Sequence, residues 1–392
     1  MRYSILKAGW MVVGGALALV CGAADLPKTE LTTVPPDPKA VALIQELAFP
    51  EAATALREQP GWKKPKRIVL SAAGPYNPTD PKALAAWKEI FPGIELVVVR
   101  GATEMAAQAP TADALLGVDN LVCDDRVLAA AKNVRWIGIY SAGVESCLGK
   151  QGLDRADLTV TNMRAVAGPV MAEHCIGLMF ALSRSLHTSV GRQARGEGWG
   201  GSFAGSEPQA LGGKTLLVAG LGGIGMEVAK RAHALGMNVI ATRNSSRDKP
   251  DFVSYVGLSD ELPTLIAKAD VVVSALPLVP ATTNLFDAKM FARMKKSAYF
   301  INVGRGGSVV TDDLAKALND GIIAGAGLDV TEPEPLPTDH PLWKARNIII
   351  TPHMSARSDL GQGPRELLLR EMVRRFAVGD KMLSVVDFKK GY

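Results

Sequence analysis

The chain has 392 residues, of which 47% are hydrophobic and 21% charged, a balance that excludes an unstructured chain and sets a globular frame of roughly two or three domains. Its 44 basic and 39 acidic residues leave a net charge of +5 without a long basic run, which excludes nucleic acid as a partner and suits small anionic substrates. No short internal repeat is present, so solenoids and propellers are excluded as well.

Arg2 and Lys7 precede an apolar run from Ala8 to Val20, and the small residues Gly22, Ala23 and Ala24 follow before Asp25. This is the pattern of a secretory signal peptide over residues 1–24, and the run is too short to serve as a stable membrane anchor. Residues 25–66 carry Pro27, Pro35, Pro36, Pro38, Pro50, Pro60 and Pro65 with one short helix predicted at Ala40–Leu47, so they read as a Pro-rich arm or linker.

Beyond the arm, apolar runs of strand length at 67–71, 95–99, 112–116, 134–140 and 158–161 alternate with helical stretches, among them 81–90 and 125–131. Short apolar strands between helices predict a parallel sheet. An amphipathic stretch, 170–187, leads through a Gly-rich segment, 191–205, to a second alternating series starting at Lys214. Trp199 and the glycines around it are candidates for a flexible element near a cleft. The fold class is therefore α/β, with two doubly wound parallel-sheet units joined by a helix. Cys21 lies in the N-terminal apolar run. Cys123, Cys147 and Cys175 form no pair with metal-ligand or redox spacing and are expected to be buried small hydrophobic residues.

The second series opens with Thr215-Leu-Leu-Val-Ala219, runs into Gly220-Leu-Gly222-Gly223-Ile224-Gly225, and continues with apolar residues on one helical face. Strand, glycine turn and helix in this order form a dinucleotide site. Gly220 permits the tight turn, Gly222 lets the backbone approach a pyrophosphate, and Gly225 lets the helix pack closely on the strand. The next strand ends at Arg243, where an NAD site carries an acidic residue for the ribose hydroxyls. Arg243, Ser245, Ser246 and Arg247 instead suit a 2'-phosphate, so NADP is the preferred cofactor, with NAD as the alternative.

Predicted strands at 271–275, 298–303, 325–329 and 347–351 each end in a loop with a notable residue: Leu276 and Pro277, Val303 with Gly304 and Arg305, Asp329 with Glu334, and His353. In an open parallel sheet all of these meet at the rim beyond the carboxyl ends of the strands. His353 as proton donor, Glu334 as the carboxylate that stabilises its imidazolium, and Arg305 as a two-pronged carboxylate clamp suit reduction of a 2-keto acid. His174, His187, His233 and His340 have no second ligand at metal spacing, and no metal is expected.

On these motifs, together with Gly327-Leu-Asp-Val330 through Pro335-Leu-Pro-Thr-Asp-His-Pro341, Thr351-Pro-His353 and the closing Val385 to Tyr392, the chain from about Arg67 resembles the D-isomer-specific 2-hydroxyacid dehydrogenases. It is most similar to their glyoxylate and hydroxypyruvate reductase branch. The resemblance implies a Rossmann cofactor domain, 169–354, and a flavodoxin-like substrate domain formed by 67–168 with the tail 355–392. It implies Arg305, Glu334 and His353 as the catalytic set, Asp329 on the nicotinamide carboxamide, substrate carboxylate binding by backbone amides near Ala142 and Gly143, and a homodimer. Departures are Glu145, where the family usually has Asp, the bulkier Met163-Arg164 after Asn162, and Met354-Ser-Ala356 after the histidine; Arg164 is expected at the surface, the alternative being a place at the cleft where it would favour a second carboxylate or a phosphate on the substrate. Other donors, such as formate or phosphite, and a non-catalytic dinucleotide sensor are the alternative functions. Export to the periplasm conflicts with a cofactor made in the cytoplasm, and no twin-arginine signal is present, so a cytoplasmic location is the alternative.

Overall fold

The computed structural model describes residues 34–59, 61–72, 81–199, 207–359 and 362–391; the predicted signal peptide and residues 200–206 of the Gly-rich segment lie outside them. Strands β1 (Arg67–Ser71), β2 (Glu95–Val99), β3 (Ala114–Gly117), β4 (Trp136–Ile139) and β5 (Thr159–Thr161) pair in parallel in the order β2-β1-β3-β4-β5. This is the flavodoxin-like winding. Strands β3 and β4 are buried from end to end and β1 from Ile68 onward, which is why they read as apolar runs in the sequence.

Strands β6 (Thr215–Ala219), β7 (Asn238–Arg243), β8 (Tyr255–Leu258), β9 (Val271–Ser274), β10 (Tyr299–Asn302), β11 (Gly325–Leu328) and β12 (Ile348–Ile350) form a second parallel sheet, ordered β12-β11-β10-β9-β6-β7-β8. The order reverses between β6 and β9, so a crevice opens at their carboxyl ends. Strand β8 was not expected. It is a four-residue edge strand with only Val256 and Gly257 fully covered, too little apolar pattern to stand out.

The stretch 170–187, expected as one helix, is two: Gly168–Ser183 and Leu186–Ala194. Ser185 between them takes a left-handed backbone (φ 53°), which ends the helical hydrogen-bond ladder. The first of these helices lays Ala172, Cys175, Met179 and Leu182 against Val228, Ala229 and Ala232 of the helix Gly223–Ala234. Among the described residues no helix is long and apolar enough to cross a membrane.

The C-terminal helix Gln362–Val378 returns to the first sheet. Leu368, Met372, Val373 and Phe376 share one core with Ile68, Leu70 and Trp136, and the Phe376 and Trp136 rings lie 5.1 Å apart. The Pro-rich arm is packed into the same core rather than free. Its helix Pro38–Glu46 is capped by Asp37 and contributes Ile44, and Phe49 and Leu56 follow. A buried carboxylate, Glu371, accepts from Arg374 and Arg375, and Arg375 reaches on to Glu51 of the arm. Through Arg375 this buried cluster of three charges ties the arm to the tail.

The cysteine expectation fails in one respect. Cys123 and Cys147 are buried, but they are joined in a disulfide with Cα atoms 5.1 Å apart. They lie 24 residues apart in sequence, and adjacency of β3 and β4 brings the turns beyond those two strands side by side. Cys175 is free and buried, and burial pushes its thiol up to about 12. Opening a loop of this length should cost about 3 kcal/mol. Cys147→Ser is therefore expected to lower the melting temperature, and reductant is expected to shift wild type toward the variant but leave the variant unmoved. Equal melting with and without reductant in wild type would refute the crosslink.

Candidate active site at the rim of the second sheet

Strand β6 ends at Gly220, whose φ of 94° belongs to the left-handed region, and a Cβ there would lie 2.9 Å from the Ala275 carbonyl oxygen. Five residues on, a Cβ on Gly225 would strike the Gly220 carbonyl, so only glycine lets the helix Gly223–Ala234 start this close to the strand. Gly222, at the helix N-cap, has nothing within 4 Å of where its Cβ would be. Gly304 lies against Leu276, with a would-be Cβ 2.7 Å from the Leu276 carbonyl, above buried Val303. The Pro277 carbonyl accepts from Thr282 Oγ1 at 2.6 Å, which holds the β9 loop. Ile224 turns inward and packs on the core behind the helix. The structure thus gathers Gly220 to Gly225, Leu276, Pro277, Val303 and Gly304 at one rim. The open backbone at Gly222 and the helix N-terminus fit a dinucleotide pyrophosphate.

Arg243 ends β7 half-buried, with its Nε buried and without a hydrogen-bond partner among the described residues, and Ser245 beside it is exposed. Arg247 is spent elsewhere. It pairs with Glu261 at 2.5 Å and donates to Tyr255 Oη at 3.1 Å. Ser246 is bonded to Asp248. Of the four residues expected around a 2'-phosphate, Arg243 and Ser245 are left.

Arg305 follows β10 on a loop held by Asn302. The buried Asn302 side chain accepts from Gly304 N and donates to the Arg305 carbonyl, each at 3.0 Å, and Ser308 Oγ donates to the same carbonyl at 2.8 Å. Beyond it, a Cβ on Gly306 would collide with the Thr331 carbonyl, so this loop lies flat on the one after β11.

The loop after β12 carries His353, which has a left-handed backbone (φ 47°), a conformation that a non-glycine residue holds only when its surroundings enforce it. The enforcement comes from Asp329. Its carbonyl accepts from His353 N at 2.9 Å, and its carboxylate accepts from Met354 N and Ser355 N at 2.9 Å and from Thr351 Oγ1 at 2.7 Å. Burial works to raise the pKa of this carboxyl, but the hydrogen bonds from Ser355, Thr351 and Met354 outweigh it and hold the group below the ordinary value of 3.8. At 1% exposure the Asp329 carboxylate is held within the loop by these bonds. The His353 ring is half-exposed, and its Nδ1 lies 2.5 Å from Glu334 Oε1.

Across the cleft, Ser141 Oγ donates to the Gly143 carbonyl at 3.0 Å and Asn162 Nδ2 to the Ala142 carbonyl at 2.7 Å, while Ser384 Oγ bonds Asn162 Oδ1. With both carbonyls taken, the amide N–H groups of Ala142 and Gly143 have no acceptor among the described residues. Arg305 reaches this loop. Its Nε donates to Glu145 Oε1 at 2.7 Å, and its Nη1 to its neighbour's carbonyl at Gly304. Arg164, expected at the surface, is half-buried, and its carbonyl lies near Gly223. Among the described residues no cluster of three His, Cys, Asp or Glu side chains is placed to hold a metal.

Comparison with known proteins agrees with this geometry. The sequence model of the D-isomer specific 2-hydroxyacid dehydrogenase NAD binding domain matches residues 176–355. A glyoxylate reductase of Thermofilum pendens is 35% identical over 266 residues, covering 67% of this chain and 77% of the relative. The chain belongs to the D-isomer-specific 2-hydroxyacid dehydrogenase family. Its members are oxidoreductases that use a nicotinamide dinucleotide on CH–OH donors. A D-3-phosphoglycerate dehydrogenase of Methanocaldococcus jannaschii is 32% identical over 311 residues, 79% of this chain, and the chain spans 58% of that relative's length. Among solved structures, an NADPH-dependent glyoxylate/hydroxypyruvate reductase of Sinorhizobium meliloti, in complex with NADP and sulfate, matches with a TM-score of 0.68 at 26% identity, over 83% of this chain and 100% of the other.

In this dehydrogenase two cleft residues escaped the sequence reading. His174 Nε2 lies 3.0 Å from Thr351 Oγ1 and 3.7 Å from Asp329 Oδ1, on a helix whose sequence gives no hint of that partner. Glu145 was noted only as a substitution, not as the partner of Arg305. The Asp329 hub sets the next expectation: Asp329→Asn turns two acceptor oxygens into one and should lower stability by roughly 1–3 kcal/mol. Because the native pKa is lowered, that difference is full above pH 3.8 and shrinks as pH falls below it. Denaturant melts of both proteins across this range test it, and a difference that grows toward acid would refute the assignment.

Proposed function

We propose that the protein reduces a small 2-keto acid, of the glyoxylate or hydroxypyruvate type, to the D-2-hydroxy acid, with NADPH preferred over NADH. The observation that carries this reading is the 2.5 Å contact of His353 Nδ1 with Glu334, at the same rim as the Arg305 clamp and the glycine cradle. A nicotinamide dinucleotide seated against Gly220 to Gly225 supplies the hydride. Arg305 and the amides of Ala142 and Gly143 take the substrate carboxylate, which orients the keto group. Glu334 accepts from Nδ1–H of His353, and this fixes the tautomer and leaves Nε2 as the atom that gives its proton to the carbonyl oxygen. In the oxidation direction the neutral ring takes that proton back, and Glu334 stabilises the imidazolium that results.

Arg243 supports the NADP preference. Arg243 stands at the end of β7, where an NAD site carries an acidic residue, and a guanidinium there suits a 2'-phosphate. A homodimer through the cofactor domain is supported by Phe180, Leu186 and Val190, exposed at 36%, 50% and 63% on consecutive helices, with Trp199 fully exposed just beyond. Export is supported by the signal-peptide pattern and by the disulfide, which persists in an oxidising compartment. Sequencing the N-terminus of protein recovered from fractionated cells tests it, and an intact Met1 in the cytoplasmic fraction would refute it.

The decisive assay follows loss of reduced-nicotinamide absorbance with glyoxylate, hydroxypyruvate and larger 2-keto acids. His353→Gln is expected to lower kcat by at least about a hundredfold. Near-full turnover in that variant would overturn the mechanism. Arg243→Ala is expected to raise KM for NADPH by about tenfold or more and leave that for NADH nearly unchanged, as loss of a charge-assisted bond to phosphate requires. Faster turnover with NADH in wild type would sink the NADP reading alone. Cofactor binding without turnover on any acid would favour a sensor.

A further inference from the structure

We propose that Glu145 is a specificity residue that holds the substrate-carboxylate position on Arg305, so that a 2-keto acid binds by displacing one carboxylate with another. This rests on the functional reading above. The Glu145 carboxylate faces the guanidinium with Oε1 2.7 Å from Nε and Oε2 3.5 Å from Nη2. Nη1 donates to the Gly304 carbonyl at 2.8 Å. Of the two guanidinium edges that can hold a carboxylate two-pronged, Glu145 takes the Nε–Nη2 edge, the one that lies against the Gly143 loop.

The place of the ion pair is as telling as its distances. A Cβ added to Gly143 would strike both Glu145 Oε2 and Arg305 Nη2, so the two charges rest on the Cα of the loop whose amides are to receive the substrate. A substrate carboxylate bound by Arg305 and by the amides of Ala142 and Gly143 must enter that same space. Two carboxylates on one guanidinium edge repel each other.

The turn that bears Glu145 is pinned at both ends. Gly143 O is held by Ser141 Oγ, Ser146 N donates to Asp119 Oδ2 at 3.3 Å, and Cys147 is bonded to Cys123. The backbone therefore has no freedom to withdraw, and the exchange falls to rotation of the Glu145 side chain, which is 36% exposed and free to swing toward solvent. Glu145 also joins the two sheets: it follows β4 of the first and grips a loop of the second, 160 residues away. Releasing Arg305 to a substrate removes this bridge, and the bound carboxylate replaces it.

The consequence is selective. A ligand that offers Arg305 a flat carboxylate of its own replaces the lost pair, whereas a neutral carbonyl compound leaves Arg305 with Glu145 and gains nothing. Glu145 thereby sets a threshold against substrates without a carboxylate.

The test is oxalate binding to the NADPH-loaded protein, measured calorimetrically, beside steady-state kinetics with glyoxylate. Glu145→Gln, equal in size but uncharged, is expected to tighten oxalate at least about fivefold and to lower KM by a similar factor, with the change falling on KM and not on kcat. Glu145→Ala should tighten oxalate as well, and it serves where the first variant is unstable. In a background of Arg305→Gln, neither change should matter. Unchanged or weaker oxalate binding in both variants, at wild-type melting temperature, would overturn the proposal and make Glu145 a positioning residue that holds Arg305 in place. Oxalate reads the exchange whether or not a keto acid turns over, so absence of turnover in wild type counts against the functional reading and not against this one.

Discussion

One buried carboxylate holds the chemistry of the rim in place. Asp329 ends β11 with both oxygens spent on neighbouring groups, the amides of Met354 and Ser355 and the hydroxyl of Thr351. Such a group is costly to bury without hydrogen bonds, and here they outweigh burial and hold its carboxyl below the ordinary value. The loop after β12 is thereby shaped from the strand beside it. His353 is forced into a left-handed backbone and its ring is set 2.5 Å from Glu334, which belongs to the loop that Asp329 itself begins. His353, its partner Glu334 and the hub that aligns them come from two adjacent strand ends, so the geometry inherits the stiffness of the sheet.

The same logic runs across the rim. Each loop is fixed by the one next to it: Gly225 on Gly220, Gly304 on Leu276, Gly306 on Thr331. Glycine appears wherever one backbone must lie on another, and the strand ends therefore stack into one surface instead of splaying. The cleft needs a second wall, and the first sheet supplies it through the turn after β4, with the Ala142 and Gly143 carbonyls held from Asn162 and Ser141.

Most of this was legible because parallel strands buried on both faces leave unbroken apolar runs, as Val271-Val-Val-Ser274 does, and because a glycine loop between a strand and a helix has few other uses. What stayed hidden depends on distance in sequence. Cys123 and Cys147 carry no spacing signal, since their adjacency is a property of β3 and β4 lying side by side. Ser185 broke a predicted helix through its backbone, which an apolar period does not record. Strand β8 lacked the buried face that makes a pattern. The partner of Arg305 is 160 residues away in another sheet, and from sequence Glu145 was no more than an unusual residue in a familiar place. Arg247 was misread for a related reason: whether a surface arginine is free or bound to a glutamate fourteen positions on is decided by how the edge strand turns.

Charge in the cleft is then a matter of partners rather than of totals. Two carboxylates, Glu145 and Glu334, face two groups that carry or acquire positive charge, Arg305 and the protonated ring of His353, and the substrate brings a third carboxylate. Glu334 has to stay with His353 throughout, because a negative group against Nδ1 stabilises the charge that the ring carries when it holds the second proton. The anion that yields is therefore Glu145, which lies against Arg305 and not against His353. A chain that placed both glutamates on the same loop would not distinguish them. Here they are mounted on different sheets, one aligned by the Asp329 hub and the other on a disulfide-pinned turn, and this separation lets one pair remain fixed while the other exchanges.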